Sequence, residues 1–206
     1  MLIKLNILSI LSLCVIASVF CAVDVEIENK NVDRTIDVAS QLVKVSYKIT
    51  LDHKSKKTIS NYVFLLPATE CEQLSFISAR DSAKKELKLS LSKGKDACTY
   101  SMTLPSSSGS PVVYIETVFA KALLPFPVEI TQAERQLVRY FGNAYFYSPF
   151  KTVAQKTTIH LPSRNVESFT QVKPSAQADT QIVYGPYDNI PGNLIHSLPL
   201  LQIIMK

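Results

Sequence analysis

The side chains in this 206-residue chain that could do chemistry are few and scattered. His53, His160 and His196 are the candidate general bases, and a base works only with a reacting group held at hydrogen-bond range. None has an obvious partner nearby in sequence. His53 sits where a strand pattern ends, His160 at an alternating strand position and His196 in an apolar tail. A serine nucleophile presented on a G-x-S-x-G elbow is absent, as is any family signature around a cysteine. Glu26 and Glu28 fall on one face of an extended segment, a spacing that could flank a scissile bond and equally describes the wet face of an edge strand. Phosphate loops and zinc-ligand spacings are missing too. The reading is therefore of a protein with no catalytic residue, no metal site and no cofactor.

Four cysteines occur, at 14, 21, 71 and 98. The first two belong to the amino-terminal segment, where Lys4 precedes an apolar run from Leu5 to Phe20 and small residues at Cys21 and Ala22. That anatomy predicts a secretory signal peptide over residues 1–21, cleaved after Cys21. Its apolar core of about 16 residues falls short of the roughly 20 a spanning helix needs. An oxidising compartment would then favour a disulfide between Cys71 and Cys98. Two free buried thiols are the alternative, because spacing says nothing about distance. The net charge of +5 is spread over clusters such as Lys54-Ser55-Lys56-Lys57 and Lys84-Lys85-Glu86-Leu87-Lys88, which read as solvated edges and not as a nucleic-acid face.

Period-two alternation positions everything else. Val43, Val45, Tyr47, Ile49 and Leu51 alternate with Lys44, Ser46, Lys48 and Thr50, burying one face and wetting the other. Further short strands are expected at 59–66, 74–78, 87–91, 100–104, 112–119, 136–141, 144–147, 157–161 and 167–172, with prolines at their boundaries. The fold class is mainly β: an antiparallel β-sandwich spanning residues 22–190. Residues 191–206 read as a divergent tail without structure. Helix is limited to one turn at Thr131-Gln132-Ala133-Glu134, a capping box. An aromatic block, Tyr140, Phe141, Tyr145, Phe146, Tyr147 and Phe150, is interrupted by Gly142-Asn143 and reads as two strands joined by a tight turn. Alternation sets Tyr145 and Tyr147 on one face and Phe146 on the other. Core packing is the ordinary fate of such rings; Tyr145 and Tyr147 are the candidates for partner contact.

Four stretches together resemble the ribophorin I family, subunit 1 of the oligosaccharyltransferase complex. They are VDRTIDVASQLVKVSYKITL (Val32 to Leu51), EITQAERQLVRYFGNAYFYSPF (Glu129 to Phe150), SRNVESFT (Ser163 to Thr170) and YGPYDNIP (Tyr184 to Pro191). The resemblance implies a non-catalytic subunit with luminal β-sandwich domains, followed in the family by one transmembrane helix and a cytosolic helical region. It implies a place in the endoplasmic reticulum lumen at the membrane, with membrane association through the complex. The implied partners are the other subunits, including the catalytic one, and nascent polypeptides; nucleic acid is not among them. The region Pro67 to Pro111 resembles the family weakly, so nothing about a Cys71–Cys98 bridge follows from it. After Pro191 the sequence departs from the family, as a truncated gene model would. The competing reading is a free-standing luminal or secreted β-sandwich binding module.

Overall fold

The computed structural model describes residues 26–105, 109–192 and 199–206. The signal peptide read over residues 1–21 lies outside them, as do His196 and part of the loop from Pro105 to Pro111. The described chain is mainly β, in fourteen strands and one short helix. In order these are β1 (Ile27–Asp37), β2 (Val43–His53), β3 (Asn61–Pro67), α1 (Ala68–Gln73), β4 (Leu74–Asp81), β5 (Leu89–Lys93), β6 (Ala97–Thr103) and β7 (Val112–Phe119). There follow β8 (Leu123–Phe126), β9 (Leu137–Asn143), β10 (Lys151–His160), β11 (Val166–Phe169), β12 (Ser175–Ala178), β13 (Gln181–Ile190) and β14 (Leu200–Met205).

A seven-stranded sheet, β12-β13-β10-β1-β2-β7-β4, forms one layer of a sandwich. A three-stranded sheet, β3-β6-β5, and a four-stranded sheet, β11-β14-β9-β8, supply the other. All pairings are antiparallel except β1 with β10, which run parallel at the centre of the large sheet. Alternation cannot reveal strand direction, so the purely antiparallel expectation fails only there. Ile49 and Leu51 of β2 and Ile115 of β7 are fully buried while Lys44, Ser46 and Lys48 face water, as their period of two dictates.

Tyr62 and Phe64 of β3 fasten the three-stranded sheet to the large one. The Phe64 ring lies 5.2 Å from Tyr47 and 5.9 Å from Phe146. Tyr62 stacks on Phe150 at 5.3 Å, and such aromatic pairs add about 0.5–1.5 kcal/mol each beyond the area they bury. Phe169 and Tyr184 make the corresponding edge-on contact between the four-stranded and large sheets, at 6.5 Å.

Two sequence expectations differ from the fold. Leu200–Met205, expected to lie in a structureless tail, form β14 between β9 and β11, with Leu201 and Ile203 fully buried. In isolation LLQIIM is a short apolar run; its hydrogen-bonding and packing partners come from residues 137–143 and 166–169. Residues 144–147, expected to be a strand, have no ladder partner, and Gly142-Asn143 end β9 instead of turning a hairpin. Half of the expected capping box forms: the Glu134 carboxylate accepts from the Thr131 amide at 2.7 Å and the Thr131 hydroxyl at 2.9 Å. The Glu134 amide goes to the Thr131 carbonyl at 3.1 Å in a turn, and the helix of the described residues lies at α1 instead.

Cys71 of α1 is bonded to Cys98 of β6, with Cα atoms 6.1 Å apart. Replacing both with serine is expected to lower the unfolding free energy by roughly 3 kcal/mol, by freeing the unfolded chain. Urea melts with and without a dithiol reductant check this: the reductant should destabilise the parent by that amount and leave the variant unmoved.

Candidate functional site

β1 is the middle strand of the large sheet, and its inward positions Val32, Arg34 and Ile36 are all buried. A guanidinium thus occupies the centre of the inner face, on one row with Ile115 and Tyr47 to one side and Thr157 and Tyr184 to the other. A buried charge is tolerated only when its donors are spent. Arg34 Nη2 donates to the Asn143 carbonyl at 2.6 Å and the Ala144 carbonyl at 2.8 Å. Nη1 reaches the Tyr145 carbonyl at 3.5 Å, and Nε donates to Thr157 Oγ1 at 3.2 Å. Gln155 completes the arrangement, accepting from the Phe146 amide at 2.8 Å and donating to the Ala144 carbonyl at 2.9 Å.

These bonds explain why residues 144–150 need no sheet. Of the backbone groups that a strand would satisfy through a ladder, the Ala144 and Tyr145 carbonyls and the Phe146 amide are met by side chains of β1 and β10. The Ala144 amide is met by the Pro199 carbonyl and the Phe150 amide by Ser148 Oγ. The aromatic block therefore runs as irregular chain between the layers, with Phe146, Tyr147 and Phe150 buried. Two of the family-like stretches meet here, one bringing Arg34 and the other the carbonyls it holds. Asn29 plays a similar part lower in β1. Its amide donates to Ser148 Oγ and Thr152 Oγ1, and it accepts the Tyr62 hydroxyl at 2.9 Å.

Glu70 of α1 turns its carboxylate inward, accepting from Asn143 Nδ2 at 3.1 Å. Desolvation pushes this carboxyl above its ordinary value of 4.5, against the opposing pull of Arg34 and the Asn143 hydrogen bond. The neighbouring Tyr47 and Tyr140 hydroxyls are pushed up as well, by burial first and by Glu70 second. A cavity of about 20 Å³ lies among Arg34, Glu70, Tyr140 and Asn143.

Of the residue types that could do catalysis, Ser55, His53 and Glu26 come together at the end of β2. The Ser55 hydroxyl donates to Glu26 Oε2 at 2.7 Å, whereas His53 Nδ1 accepts the Ser55 backbone amide at 3.2 Å. His53 Nδ1 also lies 3.6 Å from Glu26 Oε2, so the serine and the imidazole both face the one carboxylate. Glu28 pairs with Lys54 at 3.1 Å, apart from Glu26. His160 Nδ1 lies 3.5 Å from Gln181 Nε2. Among the described residues no group of three or more His, Cys, Asp and Glu side chains could hold a metal ion.

Tyr145 and Tyr147, the sequence candidates for partner contact, are drawn inward. Tyr147 is 6% exposed, and Tyr145 is half-buried, edge-on to Tyr187 at 5.0 Å. Exposed apolar side chains include Leu42, Phe76 and Leu91, and a further group lies on the outer side of the four-stranded sheet. Leu124 of β8, Phe141 of β9 and Leu200 of β14 are 38%, 42% and 62% exposed, and Val128 and Ile130 follow in the next loop at 76% and 39%. Arg139, cross-strand from Leu124, lays its guanidinium over Phe126 at 5.0 Å and Phe141 at 4.6 Å. Sequence reasoning missed this face because it depends on β14, read as tail, and on β8, whose Pro125 argued against a strand.

The chain is thus a mainly β sandwich with a buried arginine hydrogen-bonded at the centre of its inner face and apolar side chains exposed on one outer sheet face. Its fold is shared with leukotriene A4 hydrolase from Saccharomyces cerevisiae: the alignment has a TM-score of 0.53 at 11% identity and covers 87% of this chain and 29% of that one. At that identity the likeness shows the fold alone. The sequence matches the family model described as Ribophorin I over residues 27–201. It is 39% identical over 167 residues to dolichyl-diphosphooligosaccharide–protein glycosyltransferase subunit 1 of Caenorhabditis elegans, covering 78% of this chain and 28% of that protein. It is 34% identical over 173 residues to subunit 1B of Arabidopsis thaliana, covering 77% of this chain and 37% of that protein. The chain belongs to the ribophorin I family, and it spans about a third of the length of the relatives it matches.

Arg34→Met is expected to destabilise the fold by about 3 kcal/mol or more, since it strands several buried carbonyls at once; chemical denaturation reads this directly. The shift at Glu70 has a definite sign. A carboxyl raised in the folded state holds its proton more tightly folded than unfolded, so its contribution is fullest below its ordinary value and is lost as pH rises through the folded one. Glu70→Gln should therefore gain stability relative to the parent between about pH 4 and pH 7, measured by thermal melts across that range.

Proposed function

We propose that this chain is a luminal portion of a non-catalytic oligosaccharyltransferase subunit in the endoplasmic reticulum. It supports transfer of the preassembled oligosaccharide from dolichyl diphosphate to asparagine of nascent proteins, as a scaffold or substrate-handling domain. The observation that carries this reading is the family match over residues 27–201, joined to relatives whose names specify subunit 1 of that glycosyltransferase. A contact role is supported by the exposed apolar side chains of β8, β9 and β14, Leu124, Phe141 and Leu200, which share a sheet with the stacked Arg139. In this reading Phe141 and Leu200 make the subunit contact, while Tyr145 and Tyr147 hold the segment behind them in place. Among the described residues no helix is long and apolar enough to cross a membrane.

Affinity purification of the tagged chain from microsomes tests the proposal. Other transferase subunits, the catalytic one included, are expected to co-purify. The double variant Phe141→Asp, Leu200→Asp, which changes only exposed positions, should keep its melting temperature and lose about tenfold of that recovery, as truncating anchor contacts does. Recovery of the parent chain without any other subunit would sink complex membership and favour a free-standing module.

A further inference from the structure

The outer face of the large sheet carries a second feature that the subunit role does not use. Where β4 and β7 pair, Arg80 lies opposite Tyr114 and Ser78 opposite Glu116. The turn after β4 folds Ser82 and Lys84 over the same place, closing a cleft of about 340 Å³. That volume lies within the roughly 300–1,000 Å³ range of small-ligand sites. The Tyr114 ring is 40% exposed. Asp81, also on the wall, is committed to the turn, accepting from the Lys85 amide at 2.9 Å. The remaining polar groups are not committed. Among the described residues the side chains of Ser78, Arg80, Ser82, Lys84, Tyr114 and Glu116 make no hydrogen bond or ion pair, even though cations and a carboxylate line one cleft.

We propose that this cleft binds a neutral saccharide unit, a hexose or N-acetylhexosamine, free or at the end of a glycan. Its chemistry selects that class. Guanidinium, ammonium and hydroxyl groups donate while Glu116 and the hydroxyls accept, matching a ligand whose every substituent both gives and takes hydrogen bonds. Two cations and two carboxylates among the lining residues leave no net charge to attract an anion. An exposed aromatic ring beside them offers a flat, amphipathic platform for the apolar face of a pyranose. The cleft lies on the opposite side of the large sheet from the layer that carries Phe141 and Leu200, so saccharide binding does not depend on membership of the complex.

Titration of the isotopically labelled chain with methyl mannoside, methyl glucoside, N-acetylglucosamine and a free high-mannose glycan, followed by amide chemical shifts, tests the proposal. At least one sugar is expected to give saturable shifts confined to residues 78–84 and 112–118. Tyr114→Ala and Glu116→Gln, both at exposed positions, should each weaken binding about tenfold, equivalent to roughly 1.4 kcal/mol, with the rest of the spectrum unchanged. Response to the monosaccharides and glycan alike would mark a single-residue site; response to the glycan alone, an extended one. No saturable shift with any sugar, affinity unchanged in both variants, or tighter binding of a trialanine peptide at the same residues would each overturn the proposal. None of these outcomes would alter the co-purification result.

Discussion

A guanidinium at the centre of the inner sheet face governs how this sandwich is put together. Arg34 would be untenable there without acceptors, and the carbonyls it uses belong to the last residue of β9 and to the irregular segment that follows it. Each side solves the other's problem. The cation gains hydrogen bonds that offset its desolvation, and the irregular segment gains the donors that let its backbone be buried. Because β9 leads into that segment and β10 leads out of it, the same bonds fix where the four-stranded sheet leaves the second layer and where the chain rejoins the first.

The rings of the segment then do the packing. Phe146 fits between Tyr47 and Phe64, and Phe150 lies on Tyr62, so both the large and the three-stranded sheets close onto chain that is itself anchored by Arg34, Gln155 and Asn29. Polar and apolar contacts are interleaved here: Tyr62 stacks through its ring and donates through its hydroxyl to Asn29. Such a core specifies one register, since sliding any strand by a residue would reverse its faces and separate Arg34 from its carbonyls. The surfaces left over are divided by chemistry. The outer side of the large sheet carries charged and hydroxyl groups beside the exposed Phe76 and Tyr114, whereas that of the four-stranded sheet carries leucines and Phe141 around a stacked arginine.

Legibility followed the purity of the alternation. β2 and β7 stand out because their buried positions are nearly all Val, Ile, Tyr and Leu. β1 escaped notice over residues 31–37, because Asn29 and Arg34 occupy inward positions where a pattern reading expects apolar residues. β13 was hidden by Gly185-Pro186, which the fold accommodates in a bulge opposite Lys156. Gly185 has φ +96°, and a Cβ there would stand 2.7 Å from the Gln155 carbonyl. The Glu134 contact with Thr131 was readable because its partners are three residues apart, although it closes a turn and opens no helix. The outward apolar face was not, since its three strands are brought together from residues 123–126, 137–143 and 200–205.

By itself the sequence determined the β class, the positions of the strands that alternate cleanly, and the family, because local periodicity and ordered motifs survive without coordinates. Tertiary structure alone decided that Tyr145 and Tyr147 turn inward while Phe141 and Leu200 turn out. It also decided that the last residues form a strand, and that Arg34 is the partner of Asn143 to Tyr145. These are contacts between segments far apart in the chain, and whether a side chain is core or surface depends on what the distant segments place over it.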